Sequence, residues 1–107
     1  MNVCLRLCGL VVSLLVTPTW SGDIDPDRER YLTNLLIHDC GSCHGTQLKG
    51  GLGPPLTTHA LEKYTSEWIE LVILNGQNGT AMPPWRDLLG IDDAAWLAKA
   101  LKTGEIK

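Results

Sequence analysis

Cys40-Gly41-Ser42-Cys43-His44 is the stretch on which the reading of this chain turns. Two thiols separated by two residues, with an imidazole immediately after, form the attachment signature of a c-type haem. Within one turn of chain both thiols reach the two vinyl groups of a porphyrin and close thioether bonds. The imidazole of His44 is then held under the iron, where a neutral ring nitrogen is a ligand. A Cys-x-x-Cys pair by itself also serves zinc sites and thiol–disulfide chemistry. What separates these readings is whether the chain also supplies a second axial ligand and an export route.

The export route lies at the N-terminus. Arg6 gives the first six residues one positive side chain, and Leu7 to Val16 is an almost unbroken apolar run. Thr17-Pro18-Thr19-Trp20-Ser21 follows, with a helix breaker and small residues. Charge, apolar core and small-residue site, in that order, describe a secretory signal peptide over residues 1–21, cleaved after Ser21. An uncleaved anchor is the plainer alternative, but a membrane span wants roughly 20 apolar residues and this run is shorter. Cys8 stands at the start of the run, whereas a lipidated cysteine would follow it. The mature domain, residues 22–107, is therefore expected in the periplasm with no stable membrane anchor.

Cys4 and Cys8 depart with the signal, which leaves Cys40 and Cys43 as the mature chain's cysteines. One pair so close together braces no fold, so a disulfide scaffold is set aside. Without Arg6 there are eight Lys and Arg against twelve Asp and Glu, a net charge of −4. That balance argues against nucleic acid or an anionic membrane as partner. A single domain of this size builds only a marginal core. The chain has no phenylalanine, so a buried haem would supply missing apolar surface; leucine and tryptophan packing alone is the alternative.

Helical patterns dominate. Pro26 and the acids around it suit a helix entrance. Tyr31, Leu32, Leu35 and Leu36 then form one apolar stripe on a helix that runs into Cys40. Gly50-Gly51-Leu52-Gly53-Pro54-Pro55 reads as a loop, and a short helix is expected around Thr58 to Tyr64. A further helix starts from Ser66 as N-cap, presents Trp68, Ile69, Val72 and Ile73, and stops at Asn75-Gly76. The last helix opens near Asp92, carries Trp96, Leu97, Ala100 and Leu101 on its apolar face, and ends near Lys102. No segment alternates as a strand would, so the fold class is all-α. Between the last two helices lies a long loop, Gly76 to Trp85, holding Met82, the mature chain's one methionine. A methionine set among glycine and proline is poorly placed for core packing. Its thioether suits haem iron opposite histidine.

Taken together, these features resemble the class I cytochromes c, a few helices wrapped around one covalently attached haem. The markers are the helix leading into Cys40 to His44, then Gly53-Pro54-Pro55-Leu56, then Met82, then a C-terminal helix. The resemblance implies that the carbonyl of Pro54 holds the ring N–H of His44, fixing its tautomer and orientation. Residues 48–56 and 79–85 are more narrowly similar to the periplasmic NirC-type cytochromes of denitrifying bacteria. That likeness implies electron delivery to the dissimilatory nitrite reductase, or a part in maturing its haem d1. One departure stands out. Leu32 occupies a position where class I members place a glycine, and Ala100 one where an aromatic is usual, with Trp96 a turn earlier. Large and small partners are expected to have changed sides.

Other residues have two readings each. Trp68 either points its indole N–H at a haem propionate or packs in the core. Trp85 either covers the haem or packs ordinarily. His38 and His59 are spare ligands or solvated surface histidines. Lys49, Lys63 and Arg86 either steer a partner or are scattered surface charges. The expectation is a monomeric carrier with one haem c bound at Cys40 and Cys43, ligated by His44 and Met82. With both axial positions filled it is no enzyme; a peroxidase or gas sensor would need Met82 to leave the iron. Its partners would be redox proteins: the nitrite reductase and an upstream electron donor.

Overall fold

The computed structural model describes residues 24–106, so the signal segment of residues 1–21 lies outside it. Helix α1 spans Pro26–Leu35. Asp25 caps it by accepting the Asp27 N–H at 3.2 Å, and Pro26 fills the first position, where no N–H is needed. Its buried stripe is Leu32, Leu35 and Leu36. Tyr31, expected on that stripe, is instead exposed, with the Arg28 guanidinium 4.6 Å over its ring.

The chain then makes a π-helical turn, Leu36–Cys40, before α2, Gly41–His44. The Gly41 N–H donates to the Leu36 carbonyl five residues back. The wider turn inserts a residue into the helical register just before the cysteine motif. Periodicity alone does not reveal such a turn.

Helix α3, Thr58–Leu61, is shorter than expected. Thr57 caps its start by accepting the Ala60 N–H at 3.2 Å. At its far end Lys102 Nζ donates to the carbonyls of Leu61 and Tyr64, satisfying the acceptors left open there. Helix α4 is Ser66–Asn75, and its N-cap is Thr65 rather than Ser66. The Thr65 hydroxyl accepts the Trp68 N–H at 3.2 Å. The Ile69 N–H, which a Ser66 cap would take, already donates to the Thr65 carbonyl.

Helix α5, Ile91–Thr103, packs across α4 and α3. It starts one residue before Asp92, with Gly90 as N-cap, and the Asp93 carboxylate accepts the Gly90 N–H at 2.8 Å. The same carboxylate takes two bonds from Arg28, at 2.9 Å from Nε and 2.6 Å from the terminal nitrogen. This ties the first helix to the last. Leu32, 0% exposed, lies in one core cluster with Leu97, Leu101, Ala94 and Ala98. The small residues sharing that core are thus Ala94 and Ala98 rather than Ala100, which is buried outside the cluster. Among the described residues there is no strand, and no helix is long and apolar enough to cross a membrane.

Candidate haem-binding site

Cys40 closes the π turn and packs against the core, while Cys43 on α2 is exposed. Burial, with the Asp39 charge second, pushes the Cys40 thiol up to about 11. Thiol–disulfide chemistry needs the opposite shift, toward the thiolate. Among the described residues no three His, Cys, Asp or Glu side chains converge as metal ligands, so a closed zinc site has no partners to recruit.

The loop after α2 folds back onto it. The Gly53 N–H donates to the Cys43 carbonyl and the Gly50 N–H to the His44 carbonyl, both at 2.8 Å. These bonds satisfy two carbonyls at the end of a very short helix. They also press Gly53 flat on the imidazole: a Cβ there would stand 2.7 Å from His44 Nδ1 and Cε1. Beyond it, His44 Nδ1 lies 2.7 Å from the Pro54 carbonyl oxygen. A carbonyl only accepts, so Nδ1 carries the proton and Nε2 keeps its lone pair. The imidazole is thereby prepared as a metal ligand through Nε2.

Met82 is half-buried on the loop between α4 and α5. Its carbonyl accepts from Gln77 N–H at 3.2 Å, and its own N–H donates to the Thr80 hydroxyl at 3.3 Å. The Trp85 N–H donates to the Ile73 carbonyl at 3.0 Å, and the Trp85 ring packs half-buried against the core. Trp68 is 38% exposed, which excludes the core-packing reading. It stacks on Tyr64, centroids 4.2 Å apart. His38 is exposed, and so is His59, whose Nδ1 lies 3.4 Å from Glu62. Lys49 is exposed, Lys63 Nζ stands 5.0 Å over Tyr64, and Arg86 donates to Asn75 Oδ1 at 2.7 Å.

These residues fit a covalently held porphyrin. One thiol is open at the surface, the imidazole presents Nε2, and nothing intervenes between its ring and Gly53. Leu52, next to Gly53, is 96% exposed and offers apolar surface for a ring to cover. The sequence marks Gly53 as part of a glycine–proline loop and of the Gly53-Pro54-Pro55-Leu56 marker, and Gly76 as a helix stop. At Gly53 the His44 ring leaves no room for a Cβ, and at Gly76 both the left-handed φ of +67 and the Met82 carbonyl oxygen call for glycine.

The family profile described as cytochrome C oxidase, cbb3-type, subunit III matches residues 28–99. Cytochrome c55X of Pseudomonas aeruginosa is 50% identical over 82 residues, covering 77% of this chain and 69% of its own. Cytochrome c55X of Paracoccus denitrificans is 47% identical over 93 residues, covering 87% and 90%. Among solved structures, the c-type cytochrome NirC superposes with a TM-score of 0.76 at 49% identity, over 78% of this chain and 98% of that one. Dihydro-haem d1 dehydrogenase NirN, in complex with DHE, gives a TM-score of 0.60 at 31% identity, over 64% of this chain and 15% of that one. The chain belongs to the c-type cytochromes, a family defined by covalently bound haem c.

Proposed function

We propose that this chain is a periplasmic carrier of single electrons in denitrification, with one haem c per chain and the dissimilatory nitrite reductase as acceptor. Cys40 and Cys43 would hold the haem, with His44 and Met82 as its axial ligands. When bound, the haem supplies an Fe(II)/Fe(III) couple that gains and loses one electron. The protein's part is to keep the ligand set the same in both states. The observation that carries this reading is the bond between His44 Nδ1 and the Pro54 carbonyl, because it fixes the ligating nitrogen in advance. Gly53 removes any side chain that would tilt the ring. The Met82 loop, tied to itself through Gln77 and Thr80, keeps the thioether available without rearrangement. Trp68, 38% exposed and stacked on Tyr64, would offer its indole N–H to a propionate.

Filling both axial positions leaves no place for substrate, which supports transfer rather than catalysis. The test is stopped-flow mixing of the reduced periplasmic protein with purified nitrite reductase. Transfer within the reductase's turnover time is expected; a reductase left oxidised would overturn the carrier role.

The likeness to NirN, named for dihydro-haem d1, favours a second reading: that the chain serves in maturing haem d1. Deleting the gene separates the two. A reductase that lacks haem d1 supports maturation. A haem d1-replete reductase starved of electrons supports the carrier.

A further inference from the structure

Residues 76–85 leave α4 and return to it, and the base of that excursion is closed by three devices. Gly76 N–H donates to the Val72 carbonyl at 2.8 Å and Trp85 N–H to the Ile73 carbonyl at 3.0 Å, pinning the loop's two ends to adjacent carbonyls of one helix. Gly76, at φ +67, lies directly against the far side of the loop. A Cβ on it would stand 2.6 Å from the Met82 carbonyl oxygen and 2.8 Å from the Pro83 carbonyl carbon. Outside these contacts Arg86 donates to Asn75 Oδ1 at 2.7 Å, joining the residue before the loop to the residue after it.

We propose that Asn75, Gly76 and Arg86 are positioning residues for Met82, forming a strap that sets how readily the loop opens. The inference rests on the ligand role of Met82 proposed above. Gly76 touches the backbone of Met82 itself, so its position determines where the methionine Cα sits. The Asn75–Arg86 bond spans the base of the loop and so resists separation of its two ends. It involves a charged donor, which strengthens it, and it is exposed, which makes it easy to break. A strap of that kind holds a ligand loop shut yet permits opening. It also gives Arg86 a partner within the chain.

The experiment is an imidazole titration of the ferric holoprotein. Free imidazole binds the iron only when Met82 has left it, so its apparent affinity scales with the open fraction of the loop. Asn75→Ala should tighten imidazole binding about fivefold with the thermal midpoint little changed. Asn75→Asp keeps an acceptor for Arg86 and should restore the wild-type affinity. The Asn75→Ala and Arg86→Ala effects should not add in the double variant, because both remove one bond. Gly76→Ala should tighten binding further wherever the variant still folds. Wild-type affinity in Asn75→Ala and in Arg86→Ala would overturn the strap. A wild-type ferric spectrum without the methionine–iron charge-transfer band would instead overturn the ligand assignment of Met82, a separate failure.

Discussion

His44 and Pro54 are joined across ten residues by a 2.7 Å contact between an imidazole nitrogen and a main-chain oxygen. The acceptor belongs to the backbone, so the side chain at position 54 is not what His44 recognises. Proline contributes stiffness: its ring fixes φ and so limits where the carbonyl can point. Gly53 contributes space, since the imidazole lies where a side chain there would be. The two neighbours therefore act on the same ring through different physics, and substitution should separate them.

Gly53→Ala places a methyl group 2.7 Å from two ring atoms of His44. The ring then has to move, and it cannot move without losing Pro54. Pro54→Ala leaves the carbonyl in place and only loosens it. In cells able to attach haem c, Gly53→Ala should lose most of the covalently bound haem per chain, as read by haem staining after denaturing electrophoresis. Pro54→Ala should retain most of it. Equal yields for the two variants would show that the ring's seat does not depend on Gly53.

Asp93 makes stability depend on acid. The Arg28 guanidinium, with help from the Gly90 N–H, holds its carboxyl below the ordinary value of 3.8. A carboxyl with a lowered folded value stabilises the fold fully above the ordinary one. That contribution drains away as pH falls through the lower folded value. Asp93→Ala also removes the acceptor for the Gly90 N–H at the start of α5, and losing such a cap costs about 1 kcal/mol. Urea melts at neutral pH should therefore separate wild type from Asp93→Ala clearly. The separation should shrink once the pH drops below 3.8, and a gap constant down to the acid limit would contradict the linkage.

Much of this molecule is legible in the sequence because its signals are local. Cys40 to His44 names a chemistry by spacing, Pro26 and Gly76 mark helix ends, and Leu32, Leu35 and Leu36 declare a buried face. What was not legible depends on distance. Arg28 and Asp93 are 65 residues apart, and nothing in either neighbourhood announces the other. Tyr31 fits the periodicity of the buried stripe, yet it faces outward beneath Arg28. The π turn before Cys40 changes register without changing composition. Trp68 fits a core stripe by spacing, but it stacks at the surface on Tyr64. For Asn75 and Arg86, the reason for the residue types lies in the loop they bracket, which spacing cannot describe.

Leu32 tests whether the exchange of large and small partners holds the terminal helices together. It is wholly buried and shares the core with Ala94, Ala98 and Leu97. Leu32→Ala should cost about 2–5 kcal/mol, the range for a leucine truncated in a packed core. Adding Ala98→Leu supplies the missing volume from the opposite side and should recover part of that loss, measured by chemical denaturation. A double variant less stable than Leu32→Ala alone would show that the two sites do not share space.

Leu48 sets two effects of opposite sign against each other. It is the one non-glycine residue with positive φ among those described, at 57°, and yet its side chain is only 7% exposed. The left-handed backbone costs a residue with a Cβ about 1–2 kcal/mol. Losing a buried leucine side chain costs about 2–5 kcal/mol. Burial is the larger quantity, which explains why the strain is tolerated. Its backbone is engaged as well: the N–H donates to the Gly45 carbonyl and the carbonyl accepts from Leu56, both at 2.8 Å. Alanine at position 48 would forfeit the side chain and keep the strain, whereas glycine forfeits the side chain and relieves it. Both variants should be less stable than wild type, with Leu48→Gly more stable than Leu48→Ala by about 1 kcal/mol, the reverse of the order found in a helix interior. Urea denaturation of the two holoproteins measures the order, and an alanine variant that outlasts the glycine one would mean that the backbone here carries no strain worth relieving.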